Sequence, residues 1–311
     1  MLTTLDLERR RRGICGSDIA KILGMSPYGG PFDVWLDKIG QSGETTQTEA
    51  MRWGHKHEPT IIAEFAERHP ELGPVSLNNN KTWANMTDAW MLGTPDALFR
   101  DEWHGLEVKT ASFNRGEWGE SGTLKVPKHY YLQCLWYMAV MEWDTWHLAV
   151  LIGTNDYREY KFHRDIDVEA QLIERARAFW TDHVLADVAP EVDASPAVAE
   201  YIKRKFPTPT DEMLPATDEQ TQLFEALEVA RRVSDSATAA KDELENKLKF
   251  AIGGAAGIQF PTGKITWKRS RDGKNTDWQT VATEAGASAE LIAAHTEVRP
   301  GSRRFLATFN G

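Results

Sequence analysis

Apolar residues in the first 190 positions recur in two rhythms, one every three to four residues and one every second residue. Ile19, Ala20, Ile22 and Leu23 follow Gly16-Ser17-Asp18, which predicts a helix with Ser17 as N-cap, Asp18 in its first turn and Gly24 near its end. Ile62, Phe65 and Ala66 share one face of a second helix over about 58–68, where Pro59 suits a first turn because its missing N–H would have no partner there. Residues 91–99 and 106–110 are short apolar runs separated by the polar 100–105, a strand–turn–strand pattern. Pro127 then opens a strongly apolar helix over 130–141. Residues 148–152 and 157–162 read as a second pair of strands, and 168 to about 184 as a closing helix. Helix, strands, helix, strands, helix predicts an α/β (α+β) fold with a mixed central sheet flanked by helices.

The rhythm changes downstream. Pro190, Pro196, Pro207, Pro209 and Pro215 mark 188–216 as a Pro-rich connector rather than an element. Residues 218–251 are one long helical pattern with a stripe at Leu223, Leu227, Ala230, Ala237, Leu244 and Leu248, interrupted by Ser234 and Lys241. That pattern fits a helix or helical hairpin packed on its own protein better than an intermolecular coiled coil. A hairpin around Pro261-Thr262-Gly263, a short helix over about 278–285 and a last strand over 303–309 complete a small α+β unit. The expected organisation is a main domain over 1–187, the connector over 188–216, and a C-terminal long helix with its small unit over 217–311.

Composition narrows the class. Twelve Trp and 41% hydrophobic residues in a 311-residue chain describe a folded protein, since disordered chains lack the apolar surface to offset ordering entropy. The longest apolar stretch falls well short of the ~20 residues that span a bilayer, and no signal-peptide core follows the basic run at 9–12. Two cysteines far apart, Cys15 and Cys134, support neither a disulfide framework nor a zinc ribbon, so a reduced cytoplasmic protein is expected. A net charge of −10 argues against a uniformly basic nucleic-acid coat. Local basic clusters remain at Arg9–Arg12, at Lys125 and Lys128 beside His129, at 203–205, and among Lys264, Lys268, Arg269, Arg271 and Lys274. Of these, the run at 9–12, next to the predicted Ser17 helix, is the one best placed to meet phosphate.

The chemistry is written in Gly93-Thr94-Pro95-Asp96 and, after a polar turn, Gly105-Leu106-Glu107-Val108-Lys109-Thr110. Two adjacent strands can bring Asp96 and Glu107 to one end. Period 2 puts Glu107 and Lys109 on the same face, while Val108 turns away and leaves its carbonyl near the carboxylates. Two carboxylates and a carbonyl form a hard oxygen set suited to Mg²⁺ or Mn²⁺. Such an ion acidifies bound water and neutralises charge developing on a phosphoryl group, with Lys109 placed to orient or deprotonate that water. His55-x-His57 invites a zinc reading but lacks a partner cluster. Trp35, Trp53, Trp83, Trp90, Trp103, Trp118 and Trp136 are mostly core candidates, and no Walker loop is present.

This segment resembles the Pro-Asp…Glu-x-Lys core of the restriction-endonuclease-like nucleases. Further stretches resemble one branch, the lambda exonuclease or YqaJ-type viral recombinases: 13–20 with 23–28, Trp53-Gly54-His55-Lys56-His57-Glu58-Pro59, Val126-Pro127 to Tyr130 with Gln133, and 160–165, all in the family's order. The resemblance implies that Asp96, Glu107, the Val108 carbonyl and Glu58 form the metal site, that Lys109 handles the nucleophilic water and that Gln133 helps to hold it. It implies that Ser17 contacts a terminal phosphate; Arg12, Lys125, Lys128 and Tyr130 are the accompanying candidate DNA contacts. By the same resemblance the protein is a Mg²⁺- (or Mn²⁺-) dependent exonuclease, phage or prophage encoded and working in a bacterial cell. It would degrade one strand of double-stranded DNA from an end, 5′ to 3′, and supply single strands to a recombination pathway with an annealing protein. Trimeric rings occur in the family, but no sequence feature here fixes a homo-oligomer, and the last 120 or so residues exceed the family's smallest members. A structure-selective endonuclease on the same core and a non-cutting DNA-end-binding scaffold are the rival readings.

Overall fold

A computed structural model describes residues 4–43, 47–114, 116–271, 273 and 276–296. The chain divides into two compact units, Met1–Lys205 and Phe206–Gly311.

The first unit is built on a five-stranded sheet in the order β1-β4-β5-β6-β7. Its strands are β1 (Ser76–Leu77), β4 (Ala97–Phe99), β5 (His104–Ala111), β6 (Thr145–Ile152) and β7 (Asp156–His163), while β2 (Trp83–Ala84) and β3 (Leu92–Gly93) pair separately. Only β5 and β6 run parallel; the other neighbours are antiparallel, which makes the sheet mixed. The parallel step requires a crossover, and helix α5 (Lys128–Met141) supplies it. α5 is buried from Leu132 to Val140 on every side, as befits a helix enclosed by sheet and helices together.

Helices cover both faces. Leu148 and Val150 of β6 point into the larger core with α5, α2 (Gly16–Ile22), α3 (Pro31–Lys38) and α6 (Ile166–Phe179). Leu106 and Val108 of β5 point the other way, against Ile61, Ile62 and Phe65 of α4 (Glu49–Arg68). Gly105 is needed where the Trp146 ring crosses β5: a Cβ there would lie 2.3 Å from the indole.

Several boundaries differ from those the sequence suggests. α2 is capped by Cys15, not Ser17, because Ile14 is still strand-like, bridging to Met91, and Asp18 accepts the Cys15 N–H at 2.8 Å. Ser17 is therefore the second helical residue, with its side chain outside. α4 begins nine residues before Glu58, at Glu49, with the Thr48 hydroxyl accepting the Met51 N–H at 3.2 Å, and it runs through Pro59. The proline loses one internal hydrogen bond, and burial of Ile61, Ile62 and Phe65 offsets that loss. The stretch read as a connector contains α7 (Pro196–Lys205), whose Tyr201 packs edge-on against Phe32 (5.4 Å) and Trp35 (5.7 Å) of α3. Pro196 opens that helix rather than breaking it. The basic run lies at the end of a further helix, α1 (Thr4–Arg11), with Arg12 in the turn that follows.

The second unit carries α8 (Asp218–Ile252), one unbroken helix of 35 residues, capped by Thr217, whose hydroxyl accepts the Gln220 N–H at 3.2 Å. Leu223 and Leu244 on its stripe are exposed rather than packed away. The hairpin β8 (Gly257–Phe260) and β9 (Gly263–Thr266) and the short helices α9 (Trp278–Glu284) and α10 (Ala289–Ala294) follow. The strand read at 303–309 and Lys274 lie outside the described residues. No helix among the described residues is long and apolar enough to cross a membrane.

One buried ion pair ties α2 to α3. Lys38, with its side chain 1% exposed, donates to Asp18 at 2.7 Å and to the Arg10 carbonyl at 3.1 Å. Burial opposes the charge on each, but the partners outweigh it, holding Lys38 above and Asp18 below their ordinary ranges. Lys38→Met is expected to lower stability by about 3–5 kcal/mol in urea unfolding, because Asp18 is left charged and dry; adding Asp18→Asn should recover most of the loss.

Candidate active site

β4 pairs with β5 only as far as Ala97 opposite Leu106, so beyond that point the edge of β5 is free to meet Asp96, the residue immediately before β4. The Val108 N–H donates to Asp96 Oδ2 at 2.8 Å. In an extended strand the N–H and C=O of one residue face the same edge, so the Val108 carbonyl also looks to the Asp96 side. Glu107 and Lys109 project from the α5 face, and the Val108 side chain is buried on the α4 face.

Glu107 is the most constrained group. Its Oε1 accepts from Lys109 Nζ and from Gln133 Nε2, the latter at 2.7 Å. Gln133 also donates to the Tyr137 hydroxyl at 2.8 Å, which in turn donates to the Thr94 carbonyl at 3.1 Å. Oε2 of Glu107 is buried and has no hydrogen-bond partner. Burial pushes the Glu107 carboxyl up to about 8, with the Asp96 charge adding to it. Burial also raises Asp96, against the pull of Lys109 and the Val108 N–H. Burial opposes the Lys109 charge, yet Glu107 and Asp96 outweigh it and hold the amine protonated.

Glu58 approaches from α4, on the other face of the sheet. It is half-buried, and burial and Asp96 both raise its carboxyl. Among the described residues no three His, Cys, Asp or Glu side chains converge as a ready cage. The donor set is instead two mutually repelling carboxylates, an orphaned oxygen and an edge-facing carbonyl, with a third carboxylate close enough to feel Asp96. That set fits a hard divalent ion, which keeps several waters, and does not fit a structural zinc site.

Asp96, Glu107, Val108, Lys109 and Gln133 thus meet at one point, and Glu58 reaches it through Asp96. Tyr130 borders it, with its ring 5.1 Å from Lys109 Nζ and stacked on Trp118 at 5.7 Å. Ser17 accepts from Arg10 at 3.2 Å. Arg12, Lys125 and Lys128 stand exposed, outside the carboxylate–lysine network. Sequence reasoning passed over Tyr137, four residues after Gln133 and so on the same helix face, which was the available signal. His129, which the sequence places only in a basic cluster with Lys125 and Lys128, has its Nε2 buried without a partner beside Tyr130, and His55 was set aside with the zinc reading. His55 donates Nδ1–H to the Met51 carbonyl at 2.7 Å, and its ring lies close enough to act electrostatically on both Glu58 and Asp96. Gln133→Leu removes a donor from both Glu107 and Tyr137; we expect turnover to fall about 10²-fold in steady-state assays with the fold intact by circular dichroism.

Comparison with known proteins gives concordant findings. The family model described as YqaJ-like viral recombinase domain matches residues 7–144. The uncharacterized protein YqaJ of Bacillus subtilis (strain 168) is 31% identical over 254 residues, 79% of this chain and 77% of that protein. Among solved structures, the alkaline exonuclease LHK-Exo from Laribacter hongkongensis is similar at 17% identity and a TM-score of 0.46, over 65% of this chain and 97% of that one. A phage related exonuclease from Haemophilus somnus 129PT is similar at 12% identity and a TM-score of 0.45, over 57% of this chain and 96% of that one.

Proposed function

This chain belongs to the family of the YqaJ-like viral recombinase domain, and on that premise we propose that it is a divalent-metal-dependent deoxyribonuclease that shortens double-stranded DNA from its ends. The observation that carries this reading is Glu107: one carboxylate oxygen is fixed by Lys109 and Gln133, and the other is buried, with the Asp96 carboxyl as the neighbour of the group. Lys109 offsets only one of the two buried negative charges, and a divalent cation is the natural remedy for the remainder.

Asp96, Glu107 and the Val108 carbonyl would hold Mg²⁺ or Mn²⁺, with Glu58 supporting from the α4 side. When bound, the ion supplies an acidified water and screens charge on the phosphoryl group. Lys109 keeps its proton between the carboxylates, orients the attacking water by hydrogen bonding and offsets negative charge as the phosphorus becomes five-coordinate. Gln133 fixes the rotamer of Glu107, and Tyr137 fixes Gln133. Ser17, with Arg10 behind it, Arg12, Lys125, Lys128 and Tyr130 form the DNA-facing surroundings.

In this reading 1–187 is the exonuclease domain, cutting proceeds 5′ to 3′, and the single strand passes to an annealing protein in the cytoplasm of a phage- or prophage-bearing bacterium. The test is digestion of end-labelled linear duplex beside covalently closed circular DNA, with Mg²⁺ or Mn²⁺ and with chelator. Loss of the linear substrate alone, abolished by chelator, is the expected result. Cleavage of the circle would make the protein an endonuclease, and tight binding without metal-dependent cutting would make it an end-binding scaffold.

A further inference from the structure

Residues 23–30, the loop between α2 and α3, form a rigid mount for one exposed ring. Met25 donates its N–H to the Ala20 carbonyl at 2.8 Å, Tyr28 to the Ser26 hydroxyl at 3.1 Å and Gly30 to Asp33 Oδ2 at 2.8 Å. Gly29, with φ +134°, has to be glycine, since a Cβ there would lie 2.9 Å from that carboxylate oxygen. Pro27 fixes its own φ and restricts Ser26 before it. Tyr28 is 68% exposed, so the fold itself gains little from holding it this firmly.

Its neighbours are those of the candidate metal centre. Tyr28 meets His129 edge-on at 5.5 Å, and the His129 and Tyr130 rings lie 4.0 Å apart. Burial, opposed by Lys109 and helped by the Tyr28 hydroxyl, holds the Tyr130 phenol above its usual range. Tyr28 is thus the exposed outer end of a row of rings whose inner member, Tyr130, borders Lys109, and Lys125 and Lys128 stand exposed where the chain enters α5. We propose that Tyr28 is a stacking platform for the unpaired base at the end of the strand being cut, a role that rests on the nuclease reading of Glu107 and Lys109. Three points select a nucleobase as the occupant. An aromatic ring beside cations matches the two halves of a nucleotide, its base and its phosphate. Stacking accepts any base, because every base has a π-face, and digestion from an end requires that tolerance. The mount holds the ring before DNA arrives, so little further ordering opposes binding.

The test uses the full chain and end-labelled duplexes that carry an abasic residue at the first, second or third position from a strand end, beside the intact duplex. Affinity is read in Ca²⁺ and single-turnover rate in Mg²⁺. For the wild type, an abasic residue at the stacked position should weaken binding about 10-fold, the scale of one base–aromatic stack. Tyr28→Leu should lose about as much on the intact duplex and nothing more on the abasic one. Tyr28→Phe, which keeps the ring and drops the hydroxyl, should restore binding to within about threefold of wild type. The proposal is overturned if Tyr28→Leu binds the intact duplex as the wild type does, or if its loss and the abasic loss multiply. It is equally overturned if Tyr28→Phe is as impaired as Tyr28→Leu, because the hydroxyl beside Tyr130 would then be the whole role. Failure of the nuclease reading looks different: the wild type then digests none of these duplexes in Mg²⁺.

Discussion

Lys109→Ala is expected to abolish DNA digestion. In a single-turnover assay on end-labelled duplex with saturating Mg²⁺, we expect the rate to fall by about 10³-fold or more, since the lysine is the only cation that the structure joins by hydrogen bond to Glu107 among the described residues. The side chain contributes little to the core, so the fold should persist. DNA affinity, measured in Ca²⁺, should change by less than about threefold, because phosphate contacts made elsewhere dominate binding. A drop in affinity that accounts for the whole loss of rate would instead make Lys109 a DNA-binding residue. Residual digestion within tenfold of wild type would remove it from the chemistry altogether.

The second large effect is expected from Asp96→Asn. Asparagine keeps an oxygen to accept the Val108 N–H, so the β4–β5 junction is preserved while the charge is lost. Titration calorimetry with Mn²⁺ should show affinity weakened at least about 10²-fold, and digestion should fall by on the order of 10³-fold. The thermal midpoint of the metal-free protein should not fall, and should rise slightly, because the variant relieves repulsion between two buried carboxylates. A stability loss together with unchanged Mn²⁺ affinity would contradict the assignment of Asp96 as a ligand.

These outcomes rest on residues that two simple periods place. Alternation along 106–110 puts Glu107 and Lys109 on one face, and the apolar pattern of 130–141 gives the helix that delivers Gln133 to them. The mixed sheet and the long C-terminal helix were legible for the same reason, since each is a sustained pattern. What was hidden depends on partners distant in sequence. Cys15 rather than Ser17 caps α2 because Ile14 is held by Met91, some 75 residues later. Pro59 looked like a helix start because the burial that carries α4 through it comes from the sheet. β1 and β2, at two residues each, are too short to leave a pattern. The role of Tyr137 as a brace for Gln133 is invisible until the chain closes on Thr94.

The parallel pairing of β5 with β6 has a consequence for when the enzyme becomes competent. Glu107 and its orienting Gln133 are 26 residues apart and meet only when the crossover through α5 has closed. That closure is a non-local event, slow relative to hairpin formation and made in one direction only. On the ribosome, Asp96, Glu107 and Lys109 emerge as a hairpin well before β6 exists. On the assignment proposed above, the nascent chain therefore carries these three residues before Gln133 can orient Glu107. Cutting ability is therefore expected to arrive only with the closed crossover, so a partly synthesised or partly refolded molecule is expected to leave the DNA around it intact.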